Sequence, residues 1–189
     1  VREMESCRRA FGRFGPDLCV HMAAIAGQRI ASGKADDVHR VNVQGTINLL
    51  KAANSDCRFV FLSSCHVYGR PRLLPLQESH ALNGIGAYAE SKIDAESQVL
   101  SRVVGDAVVL RLFNLTGPGQ SERFALADWA RQSIQGAQQI RTGNLTLKRD
   151  YLDVRDAAQG IWELSQRAND GDVVNVCSGN AFRLADLFG

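Results

Sequence analysis

Short apolar runs alternate with stretches of helical periodicity along this chain, and no other feature constrains its fold as strongly. The runs that predict strands lie at residues 18–20, 58–63, 108–112, 139–141, 146–152 and 173–177. Helical spacing predicts helices over residues 35–53, 87–104, 124–134 and 154–167, with a further helix beginning at 184–187. Such alternation is typical of an α/β protein with a parallel sheet. Because ligands bind beyond the carboxyl ends of parallel strands, we expect the chemistry just after Val20, Leu62 and Leu112.

The composition is that of an ordinary globular protein. The 22 basic and 20 acidic residues give a net charge of +2, which by itself does not favour a nucleic-acid partner. No apolar run is long enough to predict a membrane span, and the first residues do not resemble a signal peptide. The five cysteines are odd in number and form no C-x-x-C pair, so we expect no disulfide framework, no metal site and a cytoplasmic location.

Tyr88 and Lys92 are four residues apart in a predicted helix, so their side chains lie one turn apart on one face. A tyrosine with its ordinary pKa of about 10 is a poor acid or base at neutral pH. A neighbouring ammonium favours the phenolate, so we expect Lys92 to lower the pKa of Tyr88. Taken alone, the Y-x-x-x-K pattern is common by chance, and by itself it favours the plainer interpretation, a partly exposed tyrosine over a solvated lysine.

A second polar feature makes the pair more informative. The strand at residues 58–63 ends in Ser63 and Ser64, and a loop leads from there to Tyr88. A hydroxyl at the carboxyl end of a strand can reach a substrate oxygen beside the phenol, although serines are also frequent in plain turns. The strand-end serine, the loop and the Y-x-x-x-K helix together favour a catalytic site.

These segments and several others resemble the extended short-chain dehydrogenase/reductases, also called NAD-dependent epimerase/dehydratases. The matching motifs are H-M-A-A at 21–24, V-N-V-Q-G-T at 41–46, F-L-S-S at 61–64, V-Y-G at 67–69, Y-A-E-S-K at 88–92, R-L-F-N at 111–114, G-P-G at 117–119, R-D-Y-L-D-V-R-D at 149–156 and V-N-V-C-S-G at 174–179. They follow the order and spacing of the family over nearly the whole chain. The resemblance implies a partial Rossmann-type, doubly wound parallel sheet, with part of a small C-terminal substrate-binding module.

The resemblance also implies roles for individual residues. Tyr88 would be the general acid/base, Lys92 would bind the nicotinamide ribose, and Ser64 would hydrogen-bond the substrate oxygen. The other positions that would contact the cofactor, NAD or NADP, are Ala23, Ala24, Ala26, Ser63 and Leu112. Asn42 would be a buried polar strut. Asn114 and Arg149 would hold a nucleotide sugar, with Arg149 suited to a diphosphate; the alternative for Arg149 is a surface ion pair with Asp150 or Asp153.

The expected reaction is an NAD(P)-dependent reduction. The segments at 111–121, Phe124 and 175–179 look most like GDP-4-keto-6-deoxy-D-mannose reductases, which reduce the C4 ketone. An epimerase, a 4,6-dehydratase or a non-catalytic binding protein of the same fold are the alternatives. His66 stands where the dehydratases of the family carry a glutamate base, which makes dehydration less favoured; His66 is either a catalytic base or a loop residue without a role.

No G-x-G-x-x-G motif occurs in the chain, although a Rossmann enzyme has a glycine-rich turn after its first strand. We therefore expect a fragment of a longer enzyme, itself inactive. We expect residues 1–114 to be a partial dinucleotide-binding domain and residues 115–189 to be mainly the substrate-binding module, with some elements returning to the sheet. The full-length protein is expected to be a homodimer that binds a nucleotide sugar, with neither nucleic acid nor membrane as a partner.

Overall fold

A computed structural model describes residues 1–26, 35–71, 73–102 and 105–188. Its α-helices are α1 (Met4–Phe14), α2 (Ala35–His39), α3 (Gly45–Ala52), α4 (Ala87–Leu100), α5 (Ala125–Ile134) and α6 (Val154–Arg167). Its strands are β1 (Leu18–His21), β2 (Arg58–Ser64), β3 (Ala107–Leu112), β4 (Asn114–Thr116), β5 (Lys148–Asp153), β6 (Val173–Val176) and β7 (Ala181–Arg183). Short 3₁₀ helices follow β2 and β7, at Cys65–Tyr68 and Leu184–Phe188.

The main sheet has the strand order β1-β2-β3-β6. Strand β2 is parallel to β1 and to β3, and Ser64 at its end is in register with Leu112 of β3. Parallel strands require crossover connections, which helices such as α3 and α4 supply. The predicted parallel α/β architecture is thereby confirmed, and the carboxyl ends of β2 and β3 meet at one edge of the sheet.

The core of this sheet lies between β2, β3 and helix α4. Phe59 and Phe61 of β2 and Val109 of β3 pack against Ala95 and Val99 of α4, and all five are at most 1% exposed. Truncating a buried phenylalanine to alanine costs about 3–5 kcal/mol, so this packing holds α4 firmly on the sheet. The polar residues on the same face of α4 are consequently fixed against the strand ends.

The chain divides into two compact units. The first comprises Val1–Leu112 and Glu163–Asn175, and the second comprises Phe113–Trp162 and the residues from Val176 onward. The second unit contains the small sheet β4-β5-β7, in which β4 and β5 are parallel and β7 is antiparallel to β5. The rings of Trp129 and Phe188 pack within it, with centroids 4.8 Å apart.

Several predicted elements differ from the structure. The predicted strand at residues 139–141 is absent, and that segment is irregular. The predicted helix over 35–53 is interrupted by a π-helical turn at Arg40–Gln44, and the helix predicted to reach 104 ends at Leu100, with residues 103–104 outside the described part. Helix α1 was not predicted, and β4 and β7 are three residues each, too short for a periodic signal.

Within the described residues, no helix combines the length and apolarity that crossing a membrane requires.

Candidate active site

Ser64 occupies the last position of β2, where the strand gives way to a 3₁₀ turn. Its backbone is extended, with φ −151° and ψ 147°, and its hydroxyl accepts a hydrogen bond from the His66 backbone N–H at 3.3 Å. A serine that caps the turn in this way holds its hydroxyl at the carboxyl edge of the sheet. Ser64 is only 6% exposed, so its hydroxyl needs polar partners within the protein.

Tyr88 and Lys92 are on the first two turns of α4 and point towards that edge. The Tyr88 phenol hydrogen-bonds the Ser64 hydroxyl. The Lys92 side chain is buried, its Nζ donates to the Leu62 carbonyl at 2.7 Å, and the ammonium lies 4.5 Å from the centroid of the Phe61 ring. The structure therefore brings together the serine, tyrosine and lysine that the sequence pattern singled out.

The expectation that Lys92 lowers the pKa of Tyr88 is wrong in this structure. Burial raises the pKa of the phenol, and the hydrogen bond from Ser64 only partly opposes that effect. Burial also lowers the pKa of Lys92 from 10.5 to about 8, against the opposing influence of the Glu96 carboxylate. The physical reason is that the Lys92 ammonium is directed at the Leu62 carbonyl, so exclusion of water dominates at the phenol.

His66 also lies at this site. Its Nδ1 is 2.9 Å from the Ser64 hydroxyl oxygen, and its ring meets the Tyr88 ring edge to face, with centroids 5.9 Å apart. The Ser64 hydroxyl thus has both the phenol and the imidazole as hydrogen-bonding neighbours. Of the two sequence interpretations of His66, this placement favours a role in the chemistry.

A buried ion pair lies behind the site, and the sequence reasoning did not assign it. Glu96, one turn beyond Lys92, accepts hydrogen bonds from Arg111 of β3, the shortest being 2.7 Å, and from the Ser63 hydroxyl. The side chains of the pair are 2% and 5% exposed. Arg111 also donates to the Tyr68 hydroxyl at 2.9 Å. An arginine in an otherwise apolar strand was the available signal, since a buried guanidinium requires a carboxylate partner.

The residues expected near the cofactor follow β1. Ala23 and Ala26 are exposed and Ala24 is half-buried, so small side chains border the end of the strand. The fully buried Asn42 fixes this segment: its side chain accepts from the Ile25 N–H at 2.8 Å and donates to the Ile25 carbonyl at 3.1 Å. Asn42 is therefore the buried strut that the resemblance implied.

Lys92 has N–H groups left over that could bind the ribose of a cofactor. An ammonium has three N–H groups, and within the described residues the Leu62 carbonyl takes one of them. Half-buried Leu112 is beside Ser64 in the register of β2 and β3. The Ser63 side chain, by contrast, is buried and bonded to Glu96. The Ala23–Ala26 segment, Lys92 and Tyr88 therefore fit the nicotinamide end of a dinucleotide.

The two residues expected to hold a nucleotide sugar belong to the second unit. The Asn114 amide donates to the Asp150 carbonyl at 2.9 Å, and Arg149 is exposed, with its guanidinium on the Lys148 carbonyl. Among the described residues Arg149 forms no ion pair, and Asp153 pairs with Arg155 instead. The nucleotide-sugar role of Asn114 and Arg149 stays a prediction. No group of three potential metal ligands occurs in the part of the chain that the structure covers.

A parallel sheet whose strand end carries a serine opposite a Tyr–Lys pair defines a Rossmann-type α/β protein of the dehydrogenase/reductase class. A family model described as the NAD dependent epimerase/dehydratase family matches residues 1–177. The chain belongs to this family, and the resemblance inferred from its motifs is confirmed.

Individual relatives agree with that assignment. The chain is 35% identical to the GDP-6-deoxy-D-mannose reductase of Pseudomonas aeruginosa over 91% of its own length, and 34% identical to human UDP-glucose 4-epimerase over 62%. It spans 61% and 36% of the lengths of those two proteins. Among solved structures, RMD from Pseudomonas aeruginosa complexed with NADPH matches with a TM-score of 0.86 and 31% identity, over 98% of this chain and 68% of that one.

Proposed function

We propose that this chain carries the catalytic centre of an NAD(P)-dependent oxidoreductase that reduces the C4 ketone of GDP-4-keto-6-deoxy-D-mannose. The observation that carries the proposal is the juxtaposition of the Tyr88 phenol with the Ser64 hydroxyl, beside buried Lys92. The 35% identity to a GDP-6-deoxy-D-mannose reductase supports the choice of ketosugar.

The bound dinucleotide would supply the hydride, and the chain would supply position and a proton. Lys92 would bind the nicotinamide ribose with its remaining N–H groups, and the Ala23–Ala26 segment would border the nicotinamide end. Tyr88 would donate its phenolic proton to the ketone oxygen, and Ser64 would hold the phenol in position through the hydrogen bond between their hydroxyls. Each role needs a group at the carboxyl edge of β1 or β2, where these residues lie.

The protonation state of Tyr88 suits the acid role that reduction requires. Burial raises the pKa of the phenol, so the hydroxyl keeps its proton at neutral pH and is ready to act as an acid. Epimerases and dehydratases begin by removing a proton from an alcohol, which requires a base. The chain also has His66 in place of the dehydratase glutamate, so dehydration lacks its usual carboxylate.

The test is to incubate the full-length protein with GDP-4-keto-6-deoxymannose and NADPH or NADH, and to follow cofactor absorbance and the sugar product. A reductase oxidises one cofactor for each ketone reduced. An epimerase or dehydratase returns its cofactor to the starting state, so no net oxidation would count against the proposal.

The catalytic assignment has its own variant. Tyr88→Phe removes only the phenolic oxygen, and because a positioned acid contributes about 10²–10⁴-fold, turnover should fall by at least about 100-fold. Tyr151→Phe, a tyrosine in β5 of the second unit, is the matched control and should retain activity. Turnover by Tyr88→Phe equal to that of the wild type would remove the assignment.

A further inference from the structure

We propose that His66 is the proton reservoir of the site and refills Tyr88 through the hydroxyl of Ser64. The inference rests on the proposed function, because it concerns the same phenol. Three groups form a hydrogen-bonded chain: the Tyr88 phenol bonds to the Ser64 hydroxyl, and the Ser64 oxygen is 2.9 Å from the His66 Nδ1. His66 acts through Ser64 and is therefore a positioning residue rather than one that touches the substrate.

The hydrogen-bonding capacity of Ser64 restricts what the three groups can do. A hydroxyl has one hydrogen to donate and two lone pairs to accept with. The His66 backbone N–H occupies one lone pair, at 3.3 Å. One hydrogen and one lone pair remain, and the Tyr88 phenol and the His66 imidazole share them.

Two arrangements satisfy this count. In the first, His66 Nδ1–H donates to the Ser64 oxygen and Ser64 donates to the Tyr88 oxygen, which leaves the phenolic hydrogen free for a substrate oxygen. In the second, Tyr88 donates to Ser64, and Ser64 donates to an unprotonated Nδ1. Both use the same heavy-atom positions, so no side chain has to move between them.

Catalysis by Tyr88 as an acid converts the first arrangement into the second. When the phenol gives its proton to the ketone oxygen, a phenolate remains. Ser64 then gives its hydroxyl proton to the phenolate and takes the Nδ1 proton of His66. The O–H bond of Ser64 breaks and re-forms, and a new O–H bond forms on Tyr88. His66 passes from the imidazolium to the neutral imidazole with its proton on Nε2, so charge and protons balance.

Of the groups discussed at the site, His66 is the one placed to return a proton to Tyr88. The Lys92 ammonium is bonded to the Leu62 carbonyl and has a pKa lowered to about 8, whereas the Glu96 carboxylate is held by Arg111 and Ser63. Histidine is the side chain whose ordinary pKa suits proton exchange at neutral pH. The chain thus places a suitable donor one hydroxyl away from its acid.

The experiment is a double-mutant cycle on the full-length protein, read as steady-state oxidation of NADPH with the nucleotide sugar that the protein reduces. His66→Asn keeps a polar group near Ser64 but cannot carry the proton, so kcat should fall about 10-fold while KM stays within about 2-fold. In a Ser64→Ala background the relay is already broken, so adding His66→Asn should change kcat by less than about 2-fold. Half-buried His80, hydrogen-bonded to Gln77, supplies the control His80→Asn, which should match the wild type.

Two results would overturn the relay. Factors that multiply in the double variant would mean that His66 acts on the substrate directly, and wild-type kcat in His66→Asn would mean that it carries no proton. A circular dichroism spectrum and melting temperature matching the wild type establish that the variant is folded. As a second readout, imidazole in the buffer should restore turnover to His66→Gly by at least about 5-fold, and no rescue would contradict the proposal. The proposed function stands or falls separately, on wild-type turnover and on Tyr88→Phe.

Discussion

Replacing Lys92 by methionine should stabilise the protein at neutral pH, because the folded state holds this ammonium at a cost. The pKa of Lys92 falls from 10.5 to about 8 on folding, chiefly through burial. Each pKa unit is worth about 1.4 kcal/mol, so keeping Lys92 protonated at pH 7 costs roughly 3 kcal/mol. Methionine fills a similar volume without a charge, and the variant escapes this cost.

The loss of one hydrogen bond offsets part of the gain. Lys92 donates to the Leu62 carbonyl at 2.7 Å, and such a bond contributes about 1 kcal/mol net. Lys92→Met should therefore be about 2 kcal/mol more stable than the wild type at pH 7. Between the folded pKa of about 8 and the ordinary value of 10.5, the unfolded wild type binds more protons than the folded one. The unfolding free energy of the wild type consequently rises with pH across that range, and above it the variant should be the less stable by about 1 kcal/mol.

Urea unfolding of the full-length protein at several pH values from 7 to about 10.5 measures this crossover. Lys51→Met, at an exposed lysine of α3, is the matched control and should show no such crossover. A Lys92→Met variant less stable than the wild type at pH 7, or a difference that does not change with pH, would refute the reasoning. The first result would mean that Lys92 stabilises the fold, and the second would mean that folding does not lower the pKa of Lys92.

Two further substitutions test the packing behind the site. Glu96→Gln leaves the Arg111 guanidinium buried beside a neutral group, and because removing one partner of a buried ion pair costs about 3–5 kcal/mol, the urea midpoint should fall sharply; a loss below about 1 kcal/mol would contradict this. Gly69 has a φ of +65°, and a Cβ added there would lie only 1.9 Å from the Asn83 carbonyl oxygen. Gly119 is the matched control, because its φ is +79° but a Cβ there would meet no atom within 4 Å. In thermal unfolding, Gly69→Ala should therefore be at least about 2 kcal/mol more destabilising than Gly119→Ala, and equal losses would mean that the loop rearranges to relieve the clash.

The Ser–Tyr–Lys grouping could be predicted because each member carries a local signal. Tyr88 and Lys92 are related by helical spacing, and Ser64 ends a run of strand-forming residues, so the alternation of strand and helix is enough to bring them to one edge. The reversal of the Tyr88 pKa could not be predicted in the same way. Its sign depends on how much water the packed helix excludes, which the spacing of two residues does not encode.

The ion pair of Glu96 and Arg111 was missed for a different reason. Glutamate on a helix is usually exposed, and a single arginine in a strand is ordinary at a sheet edge. The two meet because β3 lies beside β2 in register under α4, a relation between segments far apart in sequence. Pairings of this kind depend on the order of strands, and strand order is not visible in any one segment.

The two adjacent serines at the end of β2 have different partners because side chains alternate between the two faces of a strand. Ser63 turns its hydroxyl inward to Glu96, whereas Ser64, on the other side of the backbone, serves Tyr88 and His66. Since neighbouring strand residues face opposite ways, inserting or deleting one residue within β2 would exchange these two environments. The hydroxyl beside Tyr88 and His66 would then be misplaced, and the Glu96–Arg111 ion pair would lose its hydrogen bond from Ser63. The length of this strand is therefore under as much constraint as the identity of its last residues.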